Sequence, residues 1–372
     1  MTTISPDRIE DVVVAVREHA RVVVHGARTK APLVAEEPGA VYIDVTRLRG
    51  VVEYDPGEFT FTALAGTPLS EIQALLARNG QHLPFDPPLA RAGATLGGTV
   101  AAAMNGFGRL RFGGVRDFII GVRFVDGTGR LVRGGGKVVK NAAGFDLPKL
   151  MVGSLGRLGV LVELSFKVFP APPAWRTIRV KCDGVEDAVA VMAELGRRPF
   201  DLEALDLEPP GTLVLRVSGD EAMLDVHAAR VGAATGRPFE LLAGAEEEGY
   251  WQGLRDFAWA PPECWIVKVP LTLRRLPDLE RVLGAGVPRR YTVAGNVAWL
   301  AWPVDRPRTE LDLAGLNGLF VRGPALDGAS PWIGPEKVGA AIFARRVKDA
   351  LDPDGRFPPL VPDVRAVSAA AS

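Results

Sequence analysis

Apolar and polar positions in the first 80 residues follow two periods, one helical and one strand-like. Ile9, Val12, Val13 and Val16 share one helical face behind Ser5-Pro6, a start in which serine caps and proline takes the first helical position. Asp7 and Glu10 lie in the first turn, where the helix dipole favours acids. Arg21–His25, Ala40–Val45, Gly50–Tyr54 and Phe59–Ala65 carry the apolar runs and alternation of strands. Thr67-Pro68 opens a second helix by the same capping logic, with Ile72, Leu75 and Leu76 as its buried stripe and Gly80 as its stop. Strand-rich units that each carry a helix predict an α+β fold and not a repeated βαβ sheet.

Further along, Phe118–Val125 and Leu131–Gly134 form a hairpin across Asp126-Gly127-Thr128-Gly129. Val160–Val168 is another strand, and the proline-rich run from Pro170 to Pro173 marks a boundary. Beyond it Thr177–Val180 and Leu213–Val217 have strand character, while Val185–Leu195 and Ala222–Val231 have helical character. A last helix runs from Pro335 to Leu351 and stops at the turn Asp352-Pro353-Asp354-Gly355. The 372 residues therefore divide into 1–170, a second α+β domain at 171–334, and a tail at 335–372.

Composition narrows the function. Hydrophobic residues at 47% and charged residues at 24% are ordinary for a globular protein. The 44 basic and 44 acidic residues cancel, so no global field selects nucleic acid. Cys182 and Cys264 are the only cysteines; they stand far apart and are expected as buried free thiols, without a disulfide framework or iron–sulfur site. His19, His25, His82 and His227 form no catalytic pair and no metal-ligand spacing, so no metal is expected. The first ten residues lack a signal-peptide layout, and no charge-free apolar run of about 18 residues occurs. A cytoplasmic protein is expected, with attachment to the inner face of a membrane only through partners.

Glycine, at 42 residues, is concentrated between Leu83 and Pro170. So many positions without a side chain let backbone wrap closely round a ligand, and a dinucleotide such as FAD is the expectation. Each piece has two readings. His25-Gly26-Ala27-Arg28-Thr29-Lys30 follows a strand and is either a phosphate wrap or a plain surface turn. Ala94-Thr95-Leu96-Gly97-Gly98-Thr99 precedes a small-residue helix at Val100 and either offers amides to a pyrophosphate or packs a helix against a sheet. Arg109, Arg111 and Arg116 flank glycines and either offset phosphate or carboxylate charge or form a solvated basic loop; Asp117 is a local ion-pair candidate. Lys137, Lys140, Asn141 and Asp146 supply polar groups, and Gly153-Ser154-Leu155-Gly156 with Gly159-Val160 is built for close passage past a flat ring. No GxGxxG follows the first strand, so the common dinucleotide fingerprint is absent.

In this order, the pieces resemble the FAD-binding domain of the vanillyl-alcohol oxidase / p-cresol methylhydroxylase (PCMH-type) superfamily, and within it the FAD-binding subunits of bacterial glycolate oxidase. The resemblance rests on Gly26–Lys30, Tyr54-Asp55-Pro56, Ala65–Leu69, Leu83–Pro88, Ala94–Gly98, Gly114–Phe118, Lys140–Asp146 and Gly153–Val160, with Arg346-Val347-Lys348 and Leu351–Phe357 in the tail. It implies an FAD domain of two α+β subdomains followed by an α+β cap. It also implies that Gly26, Ala27, Arg28, Thr29 and Lys30 form the first pyrophosphate loop. Pro87, Ala94, Thr95, Leu96, Gly97 and Gly98 would line the pyrophosphate and ribityl chain, with Asn105 beginning the loop beneath the ring. Asp117 and Asn141 would add polar contacts, and Gly159 and Val160 would clasp the cofactor path. Two segments depart from the family pattern: Ala27 and Arg28 stand in a loop that is usually glycine-richer, and Pro358-Pro359-Leu360 replaces the usual Asn-Pro-Gly. No histidine occupies an attachment position, so the FAD is expected to be non-covalent.

The activity implied is oxidation of glycolate or a related 2-hydroxy acid such as D-lactate. Arg109, Arg111 and Lys137 are the candidate catalytic groups, as electrostatic contributors. The shortage of acid–base pairs, together with the resemblance, implies that a second FAD-containing subunit and an iron–sulfur subunit share the work. The other readings are a self-sufficient FAD-dependent alcohol or 2-hydroxy-acid dehydrogenase and a flavin-free scaffold of the same fold.

Overall fold

A computed structural model describes residues 2–136, 145–335 and 338–360. A small parallel sheet holds Thr2–Ile4, Val41–Asp44 and Val22–His25, in that order. The helix Ile9–Glu18 covers it, burying Val12, Ala15 and Val16. That helix begins after Arg8, later than the Ser5-Pro6 signal, and no side chain caps it. The glycine-rich region builds on a five-stranded antiparallel sheet ordered Val51–Asp55, Thr60–Leu64, Val160–Lys167, Ile119–Val125, Leu131–Gly135. Its buried face carries Phe61, Phe124, Leu164 and Phe166, against the helices Leu69–Ala77 and Leu96–Ala101.

The chain then crosses into a nine-stranded antiparallel sheet. Its first half runs Phe239–Leu242, Ala174–Lys181, Thr212–Gly219, Ala204–Glu208; its second runs Arg289–Thr292, Val297–Pro303, Cys264–Pro270, Gly318–Arg322, Trp332–Ile333. One pair, Leu207 with Tyr291, bridges the halves. Helices Val185–Leu195, Glu221–Ala233 and Leu276–Leu283 bury their apolar faces on this sheet. The helix Gly244–Arg255 covers Ala204 and Val214 through Trp251. Cys182 and Cys264 are buried and free, as expected.

The tail returns to the first domain. Lys348, on the helix Val338–Leu351, pairs with Asp352, and its ammonium also donates to the carbonyls of Arg157 and Phe357. The Asp352 carboxylate accepts from the amides of Arg356 and Phe357. Among the described residues no helix is long and apolar enough to cross a membrane.

Candidate functional site

The strand Val22–His25 ends at the edge of a cleft with a volume of about 90 Å³. Gly26, Ala27, Arg28, Thr29, Lys30, Thr95, Gly97, Gly98 and Gly159 line it, so most of the residues expected at a cofactor come together here. Pro87, Ala94, Leu96 and Val160 are buried and do not line the cleft. Asn105 lies elsewhere, bracing the following loop by accepting from Val115 N at 2.6 Å. Asp117 caps a short helix by accepting from Gly114 N at 2.7 Å. Lys137 and Asn141 fall outside the described residues. Ala101, Ala102 and Leu155, from segments singled out in the sequence, also line the cleft; Leu33 and Val34 do too and were missed, because apolar residues carry no sequence signal for a ligand.

Two features of the 26–30 loop define its chemistry. Among the described residues, nothing accepts from the backbone N–H groups of Ala27, Arg28, Thr29 or Lys30. Lys30 is also only 7% exposed, and among the described residues its ammonium meets only the Thr29 hydroxyl, at 3.1 Å. Burial without a paired acid lowers its pKa to about 8. A row of amides with no acceptor among the described residues, beside a buried cation, has the chemistry to hold an anion. His25 adds a neutral ring: burial holds its pKa below the usual value, Nδ1 lies 2.9 Å from Gly26 O, and Nε2 has no partner among the described residues.

The glycine pair plays a different part from the one its position suggested. The helix begins at Leu96, not at Val100, because Thr95 caps it by accepting from Gly98 N. The amides of Leu96, Gly97, Gly98 and Thr99 are taken by Thr67 O, Ala65 O, Thr95 Oγ1 and Thr95 O. The first turn therefore has no free donors for a pyrophosphate, and its contribution is close approach. A Cβ on Gly97 would lie 2.8 Å from Ala65 Cβ, and one on Gly26 would lie 2.6 Å from Thr95 Oγ1.

The candidate arginines stand away from this cleft. Arg109 and Arg111 are exposed on the short helix Arg109–Phe112. Arg111 donates to Asp201 O, just ahead of the strand Ala204–Glu208, at 3.2 Å and lies over the Phe112 ring, which makes it a contact to the nine-stranded sheet's side of the molecule. His82 is half-buried in a wide groove between the two large sheets, edge-on to Phe112, with burial lowering its pKa.

Comparison with known proteins agrees with this geometry. The FAD binding domain family matches residues 3–135. Glycolate oxidase subunit GlcE of Escherichia coli is 35% identical over 94% of this chain and 95% of its own length. D-lactate dehydrogenase of Anaerostipes hadrus is 30% identical over 45% of this chain, and glycolate oxidase subunit GlcD of Bacillus subtilis is 29% identical over a similar share; these matches span 35% and 36% of those proteins. A solved alkyldihydroxyacetonephosphate synthase superposes with a TM-score of 0.69 over 95% of this chain and 75% of its own, at 16% identity, which speaks to fold alone. With a glycine-rich cleft lined mostly by residues of the matched segment and similarity along nearly the whole of one relative, the chain belongs to the family of FAD-binding oxidoreductases that includes glycolate oxidase subunit GlcE.

Proposed function

We propose that this chain holds FAD non-covalently in the glycine-lined cleft and takes part, as one subunit of an assembly, in oxidising glycolate or a related 2-hydroxy acid to the 2-oxo acid. The carrying observation is the 26–30 loop, whose amides have no acceptor and whose buried Lys30 has no paired acid among the described residues. Such a cradle suits a diphosphate, and the Gly26, Gly97 and Gly159 positions leave room for it. Oxidation of a 2-hydroxy acid removes two electrons and two protons, and bound FAD supplies the electron acceptor. Lys30 and the loop amides neutralise and orient the phosphates. Thr95 holds the Gly97–Gly98 turn in place, and the Leu155–Gly159 segment closes the far wall. Arg109, Arg111 and Lys137 are retained as electrostatic contributors toward the substrate.

Support for the substrate class comes from the relatives, named as glycolate oxidase subunits and D-lactate dehydrogenase. Their description as subunits supports partners for this chain; a second FAD-containing subunit and an iron–sulfur subunit complete the proposal. The site is placed in the cytoplasm, at the membrane face only through that assembly. Purification of the full chain from its native source, with flavin and iron analysis, tests this reading. The expected result is a yellow chain that releases FAD on denaturation and co-purifies with an iron-containing partner. A colourless chain that takes up no added FAD would refute it. Rapid turnover of glycolate by the lone chain with an artificial acceptor would replace it with the self-sufficient dehydrogenase.

A further inference from the structure

A second, smaller cavity lies where the two halves of the nine-stranded sheet meet the first domain. Asn105 and Gly106 form its floor, Phe257, Trp259 and Trp299 form its walls, and Asp206 and Arg290 enter from the two sheet halves. Its volume is about 40 Å³. A single water needs roughly 10–15 Å³ by this measure, so the space takes a ligand of only a few heavy atoms.

Asp206 is 4% exposed. Its Oδ1 accepts from Val293 N at 3.1 Å, which ties the sheet halves together. Its Oδ2 is buried and has no partner among the described residues. A structural acid would be expected to satisfy both oxygens, since leaving one bare in the interior is costly. Arg290 reaches the same space while pairing with Glu208, which also receives the Tyr250 hydroxyl. Arg255 lines the cavity from the covering helix, held by Asp86 at 2.8 Å and Gln252 at 3.1 Å.

We propose that this seam cavity is a binding site for a small carboxylate of the 2-hydroxy or 2-oxo acid class, with Asp206 and Arg290 as its polar contacts. The assignment deepens the function proposed above and rests on it for the choice of acid. Arg290 and Arg255 bring guanidinium N–H donors to the space, each already paired with a carboxylate, so a bound carboxylate shares their remaining donors, and the aromatic walls keep water out, which strengthens each contact. Burial raises the Asp206 pKa to about 8, so near neutral pH the side chain is a neutral donor and does not repel a carboxylate. The charged and titratable neighbours facing it are Arg290 and Glu208 on the strands and Tyr250 and Arg255 on the helix.

Oxalate, which has no C–H to oxidise, is the probe. Its binding to the full FAD-loaded chain is followed by equilibrium dialysis and by tryptophan fluorescence, since Trp259 and Trp299 line the cavity. Saturable binding is expected, weakened about tenfold or more by Asp206→Ala and by Arg290→Met. Asp206→Asn keeps a neutral donor of the same shape; it is expected to retain binding and to lose the decline that the natural chain shows as pH rises through about 8. Flavin content is expected to stay unchanged in all three variants. Absence of saturable oxalate binding by the natural chain, or equal affinity in the alanine and methionine variants, overturns the proposal. Should Asp206→Ala fail to fold, Arg290→Met and Asp206→Asn decide it alone. Should the chain take up no FAD, the same titration of the flavin-free chain separates loss of the cofactor reading from loss of this one.

Discussion

Lys30 is the residue on which cofactor binding turns, and its two effects have opposite signs. Without a ligand it is an uncompensated buried cation, with a pKa lowered to about 8. Because the folded chain prefers the neutral amine, the unfolded state binds more protons over the window from about 8 up to the ordinary lysine value near 10.4. The flavin-free chain is thus expected to gain stability as pH rises through that window and to be least favoured, on this account, below it. Lys30→Met removes the penalty, which is on the order of 3 kcal/mol. The variant is expected to raise the melting temperature of the flavin-free chain while weakening FAD binding about tenfold or more. FAD affinity of the natural chain is expected to fall as pH climbs past about 8, where the ammonium loses its charge. Thermal melts and dialysis on one pair of proteins check both signs. A variant that melts lower and binds FAD as before would show that Lys30 is a packing residue.

At the scale of elements, close backbone approach decides which glycines matter. A Cβ on Gly66 would lie 1.9 Å from Val45 O and 2.7 Å from Leu48 O, so the turn after the strand Val41–Asp44 and the link between Thr60–Leu64 and the helix Leu69–Ala77 can meet only through glycine there. Gly66→Ala is expected to cost about 3 kcal/mol. Gly249, inside the helix Gly244–Arg255, has open space around it, and Gly249→Ala is expected to stabilise by roughly 0.5–1 kcal/mol. Urea unfolding of the two variants tests the contrast. The same distinction explains what could be read from the chain. Val185–Leu195 matches its predicted helix, and Phe118–Val125 and Val160–Val168 lie within a residue of their strands, because each carries strong local periodicity between clear stops. The Gly-Gly at 97–98 was placed before its helix and not within it, because capping by Thr95 outweighed the poor helix propensity of glycine. Asp206 was invisible as a site residue. In Ala204-Leu205-Asp206-Leu207-Glu208 the alternation puts the acids on the polar side of a strand, and that side is buried by groups distant in sequence: the helix Gly244–Arg255, Phe107, and the aromatic residues Phe257, Trp259 and Trp299.

For the whole molecule, the decisive contact is the return of the tail to the first domain. Asp352 is 3% exposed and collects the Lys348 ammonium and the amides of Arg356 and Phe357. Arg356 then donates to the carbonyls of Val16, Arg17 and His19 at the end of the first helix, and its own carbonyl accepts from Val22 N. Lys348 also donates to Arg157 O, next to Gly156 in the cleft wall, and Arg157 donates to Pro359 O. One buried carboxylate thus joins the tail to the strand that leads into the 26–30 loop and to the opposite wall of the same cleft. Asp352→Ala strands the Lys348 ammonium in a site where little water reaches it, and breaking a buried pair from one side costs about 3–5 kcal/mol. The expected result is a lower melting temperature with a parallel loss of FAD affinity, because both cleft walls loosen together. Asp352→Asn keeps the shape and one acceptor, and should recover part of each. Limited proteolysis with and without FAD reads the coupling directly: the cofactor should slow cleavage of the natural tail and protect the Asp352→Ala tail less. If the variant lost stability and still bound FAD with natural affinity, the tail would be a clamp on the first domain alone, with the cleft assembled without its help.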